Sequence, residues 1–302
     1  MTSTPTTALA HLDGSWRSTA AAWLAEVGQR SGSQRTPMEY GRHLARFLEL
    51  VDDVTQATPA HVRAFAYGEG PSGKKPAPAT VIVRLAAVSG FYDFARRKGL
   101  VTANPAADVK RPLHREPTPR GLEVEEVRRL LDVLPDTPLG KRDRAIILTC
   151  VLTGLRRLEV MSLLAGDLTR NGTVFYTARV KGGTVRRREL PAPAFKAIQE
   201  ALKAQGTPLD RLPAHERIFK LSPQGFYVNL GKYAREAGLG DVTPHVLRHS
   251  AAKLRRDSGA SIEDVGSLLG HRSIATTARY LARLEGERDD GWERAAAALG
   301  VK

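Results

Sequence analysis

Residues 243–280 read TPHVLRHSAAKLRRDSGASIEDVGSLLGHRSIATTARY. Thr243-Pro244 supplies a cap and a first-turn proline for a helix that ends at Gly259. Ser261 caps a shorter helix that ends at Gly270, and a further helical stretch follows from about Ser273 to Leu284. This span carries three of the chain's eight histidines, a run of arginines and one late tyrosine. It therefore offers anion-binding cations, proton carriers and a possible nucleophile on consecutive helices.

His245 and Arg248 stand at i and i+3 and share a helix face. They fall near a helix N-terminus, where anions are favoured. A guanidinium presents a planar fork of donors that matches two phosphate oxygens, and an imidazole moves protons near neutral pH. His249 lies four residues after His245, which raises a metal reading. The zinc HExxH pattern needs Glu directly after the first His, and here that residue is Val246. His249 then reads as a buried, hydrogen-bonded structural histidine. His271 follows Leu269-Gly270. Tyr280 lies nine residues on, in a segment whose apolar side is Ile274, Ala278 and Leu281. Alone, it reads as core. Downstream of these cations it reads as a nucleophile, although a phenol of pKa about 10 needs a base and positive charge nearby.

Upstream, the stretch from Leu122 onwards forms a second domain. Glu123 to Leu134 is a predicted helix with Val124, Val127, Leu130, Leu131 and Leu134 on one face. Lys141 to Thr153 is a predicted buried helix, broken by Gly154. Arg156 starts the next helix, and Glu159 shares its face. The pair is either a surface ion pair or a phosphate fork held by a carboxylate. Between Thr173 and Leu190 the period becomes two, and TVFYTARV, a KGGT turn and VRRREL read as a β-hairpin tipped by Lys181. Helices are again expected from Pro191 to Lys203, Ser222 to Ala237 and Glu287 to Leu299.

Residues 15–107 read as all helix, after a leader, 1–14, expected to be disordered. Trp16, Ala20, Trp23, Leu24 and Val27 have helical spacing, as do Tyr40, Leu44, Phe47, Leu48 and Val51. Arg35, Arg42 and Arg46 lie on the polar side of the second run. Thr58-Pro59 starts a short helix, Lys74 and Lys75 sit in a basic loop, and Asn104-Pro105 is expected to cap a last short helix. Ala79 to Lys98 is a long helix with Leu85, Val88, Phe91, Tyr92 and Ala95 inward and Arg84 outward. These basic faces, with Arg111 in the Pro- and Arg-rich stretch 108–121, are candidate DNA contacts. Residues 108–121 have no period and read as an inter-domain linker.

Composition bounds the class. The 302 residues include 46 Lys and Arg against 32 Asp and Glu, a net charge of +14. A polyanionic partner is the economical explanation. No apolar run approaches the roughly 20 residues that span a bilayer, and no signal-peptide pattern opens the chain, which points to the cytoplasm. Cys150 is the only cysteine, so a disulfide framework is excluded and a buried thiol expected.

The order TGLRRLE (153–159), VKGG (180–183), HVLRH (245–249), LGH (269–271) and a tyrosine nine residues later resembles the tyrosine recombinase, or phage integrase, family. The resemblance is of the two-domain, Xer-like or simple-integrase type. It implies a mainly α protein with a small β-hairpin or sheet. The helical, SAM-like core-binding domain would be 15–107 and the mixed α/β catalytic domain 122–302. Six matched positions imply a catalytic set: Arg156, Lys181, His245, Arg248, His271 and Tyr280, supported by Glu159 and His249. Leu158 stands where Ser or Gly is common in the family, and Val180 where Gly is common.

The resemblance further implies site-specific cutting and rejoining of duplex DNA through a 3′-phosphotyrosine, with no metal, ATP or other cofactor. It implies a homotetramer on two synapsed sites, with a paralogous recombinase or accessory factor as a further partner, and a nucleoid-associated location. Helix 287–299 would dock within its own domain or in a neighbour. The rivals are a type IB topoisomerase, a non-catalytic DNA-binding regulator and a zinc hydrolase.

Overall fold

The computed structural model describes residues 14–32, 35–51, 53–70, 73–113, 120–179, 185–270 and 273–285, with only the backbone of 274, 279 and 282–285. These residues form a mainly α protein with one small sheet, in two compact units, 14–113 and 120–285. Most of the leader, the turn bearing Lys181, His271 and helix 287–299 lie outside the described residues.

The first unit holds α1 (Gly14–Ser31), α2 (Arg35–Leu48), α3 (Pro59–Tyr67) and α4 (Pro78–Arg97). The first helix begins at Gly14, the last residue of the expected leader. Trp23, Leu44, Phe47, Leu85, Phe91 and Tyr92 are buried together, as their helical spacing requires. Tyr92 spends its hydroxyl on Val54 O at 2.8 Å, so its polar end is satisfied inside the core. Thr58 and His61 form a reciprocal cap at the start of α3: each side chain accepts the other's backbone N–H at 3.3 Å.

Arg84 corrects the outward assignment. It is only 4% exposed, and its Nη1 donates to Phe65 O at 3.0 Å, Ala66 O at 3.3 Å and Gly68 O at 2.8 Å. These are carbonyls from the last turn of α3, which have no partner within their own helix. The guanidinium also lies over the Phe65 ring, 5.5 Å from its centroid. Arg84 is therefore a staple between α4 and α3 and is withdrawn from the DNA contacts. Asn104-Pro105 opens a turn instead of a helix. Asn104 Oδ1 accepts from Ala106 N at 2.9 Å and its Nδ2 donates to Ser89 O at 3.2 Å, which fixes the chain against α4.

The second unit runs α5 (Val124–Asp132), α6 (Pro138–Thr153), α7 (Arg157–Met161), β1 (Leu168–Asn171), β2 (Thr173–Arg179), β3 (Val185–Glu189), α8 (Ala192–Ala204), α9 (Pro223–Glu236), α10 (Pro244–Asp257), α11 (Ile262–Leu269) and α12 (Ile274–Glu285). Helix α6 is the buried spine: Ala145, Ile146, Ile147 and Cys150 are fully inaccessible. Burial pushes the Cys150 thiol up to about 12, so it stays protonated. Asp143 is also fully buried on this helix. Arg142 donates to it at 2.9 Å, Asn229 at 2.8 Å and Tyr233 at 3.1 Å. Val124 is 47% exposed because it is the first residue of α5, and the inward stripe begins at Val127. The buried helix starts at Pro138, three residues before the expected Lys141, with Thr137 as its cap.

The expected hairpin is two strands of a three-stranded antiparallel sheet, ordered β1-β2-β3. Gly172, at φ 71°, supplies the positive φ between β1 and β2. Tyr176 pairs with Arg188 and Ala178 with Arg186, so these four residues share one face.

The chain enters this unit across α10. Leu122 N donates to Ser250 Oγ at 2.8 Å and Arg120 Nη1 to Leu239 O at 2.8 Å. A Cβ at Gly121 would stand 3.2 Å from His249 O, so the backbone lies directly against that helix.

Candidate active site

Helix α6 ends at Gly154, which takes the left-handed conformation at φ 65° and donates its N–H to Cys150 O at 2.9 Å. The turn delivers Arg156 to the cap position of α7. Glu159 holds it twice: one carboxylate oxygen accepts the Arg156 backbone N–H at 2.8 Å, the other its Nη1 at 3.0 Å. The Glu159 side chain is 8% exposed and that of Arg156 42%, so the carboxylate anchors a guanidinium whose remaining donors face solvent. Glu159 is more than a surface partner, because one carboxylate fixes both the backbone and the fork.

Helix α10 begins as its Thr243-Pro244 signature predicts, with Thr243 Oγ1 accepting from Val246 N at 3.4 Å. His245 is exposed in the first turn. Desolvation lowers its pKa, and the guanidiniums of Arg248, Arg157 and Arg156 lower it further. Arg248, one turn on, is buried. Its Nη1 donates to Gly154 O and its Nη2 to Leu269 O. One side chain thereby ties the turn before Arg156 to the end of α11. Burial, then the charge of Arg156, push its pKa down to about 10, which leaves it a cation at neutral pH. These bonds use two of the five donors of a guanidinium.

Helix α11 is capped by Ser261 and Asp264 in a reciprocal box and stopped by Gly270 at φ 70°. Helix α12 crosses α11 closely at Gly266, where an added Cβ would stand 2.8 Å from Thr277 Oγ1. Tyr280 follows Thr277 by one turn. Its hydroxyl is hydrogen-bonded to His249 Nδ1, with the rings 5.1 Å apart and tilted by 30°. Desolvation raises the phenol's pKa, against which Arg248 pulls it down. His249, expected to be a buried structural residue, is half-buried and is the partner of Tyr280.

The second unit thus brings Arg156, Glu159, His245, Arg248, His249 and Tyr280 together from α7, α10 and α12. Lys181 and His271 lie outside the described residues. Arg35, Arg42, Lys74, Lys75 and Arg111 are exposed on the first unit, and Arg46 is half-buried there. Spacing alone did not single out Arg186 and Arg188 of β3. Arg188 Nη2 donates to Ser267 Oγ on α11, and Arg186 lies against Gly270. Their signal was the period-two VRRRE, which places them on one face. Among the described residues no group of three or more His, Cys, Asp or Glu could hold a metal ion. Among the same residues no helix is long and apolar enough to cross a membrane.

Known proteins share the fold. The model of the phage integrase family matches residues 120–287, and that of the phage integrase N-terminal SAM-like domain matches residues 21–99. Tyrosine recombinase XerD of Corynebacterium glutamicum is 32% identical over 282 residues, covering 86% of this chain and 92% of the relative. Tyrosine recombinase XerC of Roseiflexus sp. (strain RS-1) is 36% identical over 220 residues, covering 68% and 69%. The structure of a lambda integrase tetramer bound to a Holliday junction superimposes with a TM-score of 0.69 at 18% identity, over 91% of this chain and 79% of that one, which shows a common fold. The chain belongs to the phage integrase family. It is a site-specific tyrosine recombinase, and neither a type IB topoisomerase nor a non-catalytic regulator is favoured.

Proposed function

We propose that the chain cuts and rejoins duplex DNA at specific sites, with Tyr280 as the nucleophile. The observation that carries this reading is the meeting of the Arg156 and Arg248 guanidiniums with a phenol hydrogen-bonded to an imidazole. The phenol oxygen attacks the scissile phosphorus and gives up its proton, and the bond from phosphorus to the 5′ oxygen breaks. The 5′ oxygen takes a proton and leaves as a hydroxyl, while the 3′ phosphate stays on Tyr280. A 5′-hydroxyl from a partner strand then attacks the phosphotyrosine, and the phenol takes back a proton. One phosphodiester is exchanged for another, so no external energy source enters.

Arg156 and Arg248 neutralise the non-bridging oxygens as charge builds. Glu159 positions Arg156. His245 exchanges protons and is largely neutral at pH 7, since its pKa is lowered. His249 orients the phenol. Lys181 protonates the leaving oxygen and His271 donates to the phosphate; these two roles rest on the sequence motif.

The proposed partners are double-stranded DNA and further copies of the chain, as a tetramer on synapsed sites with a paralogous recombinase or accessory factor. The lambda integrase tetramer on a Holliday junction supports both partners by its similarity. Residues 15–107 serve as the core-binding domain, 108–121 as the linker and 122–302 as the catalytic domain. Arg35, Arg42, Arg46, Lys74, Lys75 and Arg111 contact phosphates. The enzyme acts on the nucleoid. The test is a suicide duplex carrying the DNA trapped on the protein in its host. A denaturant-stable adduct with the native chain and none with Tyr280→Phe is expected. An adduct that persists in Tyr280→Phe would falsify the assignment.

A further inference from the structure

The cations around Arg248 exceed those that the proposed chemistry uses. On β3, Arg186 and Arg188 project from the face that carries Tyr176 and Ala178. Arg188 is spent on Ser267 Oγ. Arg186 is not: among the described residues its guanidinium meets no hydrogen-bond acceptor and no carboxylate, while its charge reaches Arg248.

Its seat is specific. A Cβ added at Gly270 would stand 1.9 Å from Arg186 Nη1 and 2.8 Å from its Nη2, so any side chain there would displace the guanidinium. The preceding residue, Leu269, gives its carbonyl to Arg248 Nη2. The two guanidiniums therefore meet at a single peptide step. Arg248 is buried and Arg186 half-buried, so solvent screens their repulsion poorly. Among the described residues the local balance is one-sided, with Arg156, Arg186 and Arg248 gathered around one carboxylate, that of Glu159. A packed site that holds like charges side by side, one of them without an acceptor, is complementary to an anion.

We propose that Arg186 is a third phosphate-contacting cation of the recombination site, seated by Gly270 and directed at the same phosphodiester as Arg248. This rests on the proposed placement of the phosphate between Arg156, Arg248 and Tyr280. Arg186 donates to a non-bridging oxygen and gains strength as negative charge accumulates on the phosphorane. Arg188 holds β3 to α11, so that the guanidinium and the Gly270 turn keep their spacing.

The experiment uses the full chain and the suicide duplex, prepared with an ordinary scissile phosphate and with a methylphosphonate of each configuration. In the latter a methyl group replaces one charged oxygen. Adduct formation is followed in a single turnover for the native protein, Arg186→Gln, Arg186→Lys and Tyr280→Phe, with thermal melts confirming that each is folded.

On the ordinary phosphate, Arg186→Gln is expected to slow adduct formation about 10²-fold, the loss typical of one donor to developing charge. Arg186→Lys should recover part of it. On the methylphosphonate that lacks the contacted oxygen, Arg186→Gln should match the native rate. A native rate for Arg186→Gln on the ordinary phosphate overturns the inference. So does an equal loss on all substrates, which would make Arg186 a prop for the Gly270 turn. In both cases an adduct that needs Tyr280 leaves the catalytic reading standing. Absence of any native adduct, or an adduct with Tyr280→Phe, overturns both.

Discussion

The hydroxyl of Tyr280 is hydrogen-bonded to Nδ1 of His249, and Arg248, the residue before His249, ties Gly154 to Leu269. One helical step thus binds the phenol and the two loops around it. With the phenol's pKa raised, Tyr280 keeps its proton at neutral pH and donates it to Nδ1 when the ring proton is on Nε2. His249→Phe keeps the ring and removes the acceptor. Adduct formation should fall about 10²-fold, the lower range for a lost proton acceptor, with DNA affinity preserved. An unchanged single-turnover rate would limit the bond to the DNA-free protein.

Gly270→Ala should injure activity more than stability. The left-handed conformation costs an alanine about 1–2 kcal/mol. The added methyl also evicts the Arg186 guanidinium. A urea melt will show the modest loss, and adduct formation should drop to the level of Arg186→Gln.

Arg84→Met should destabilise the first unit by about 3 kcal/mol, since carbonyls at the end of α3 lose a charged donor. The salt dependence of DNA binding should not change. Arg42→Ala, by contrast, should leave stability alone and lower the slope of log affinity against log salt by about one.

Asp143→Asn should cost about 3 kcal/mol, because Arg142 is left buried without its counter-charge. Equilibrium unfolding measures it. A loss well below this would mean that Tyr233 and Asn229 alone hold α9 to α6.

Stability should fall on acidification. Burial is the main cause lowering the pKa of His43, with Arg84, Arg42 and Arg46 adding to it and Glu39 opposing, and the pKa of His245 is lowered too. The unfolded chain therefore binds more protons than the folded one between the lowered values and the ordinary 6.5. Stability is complete above 6.5 and is lost as pH falls through that window. Denaturant midpoints at about pH 7.5 and 5.5 should differ, and His43→Gln should shrink the difference.

What the sequence revealed was local. Thr58, Thr243 and Ser261 announce their helices because a cap bonds within three residues. Gly154 and Gly270 mark the ends of α6 and α11, where the site loops begin. Arg84 was misread because its carbonyl partners lie 16 to 19 residues away, a distance that helical period does not encode. β1 was missed because LTRN is too short to show alternation, although Asn171-Gly172 is a turn signal. The six family positions named where to look. They did not reveal that Arg248 would serve two carbonyls, that His249 would hold the phenol, or that β3 would add a cation. Each of those depends on packing between elements.

The bond from Arg248 to Gly154 spans 94 residues and that to Leu269 spans 21. During synthesis α6 and the Arg156 turn emerge well before the guanidinium that fastens them, and Tyr280 emerges later still. A chain halted just before α12 therefore holds the Arg156 turn and Arg248 but lacks Tyr280, the proposed nucleophile. The order of residues along the chain thus makes the proposed cutting step wait for α12.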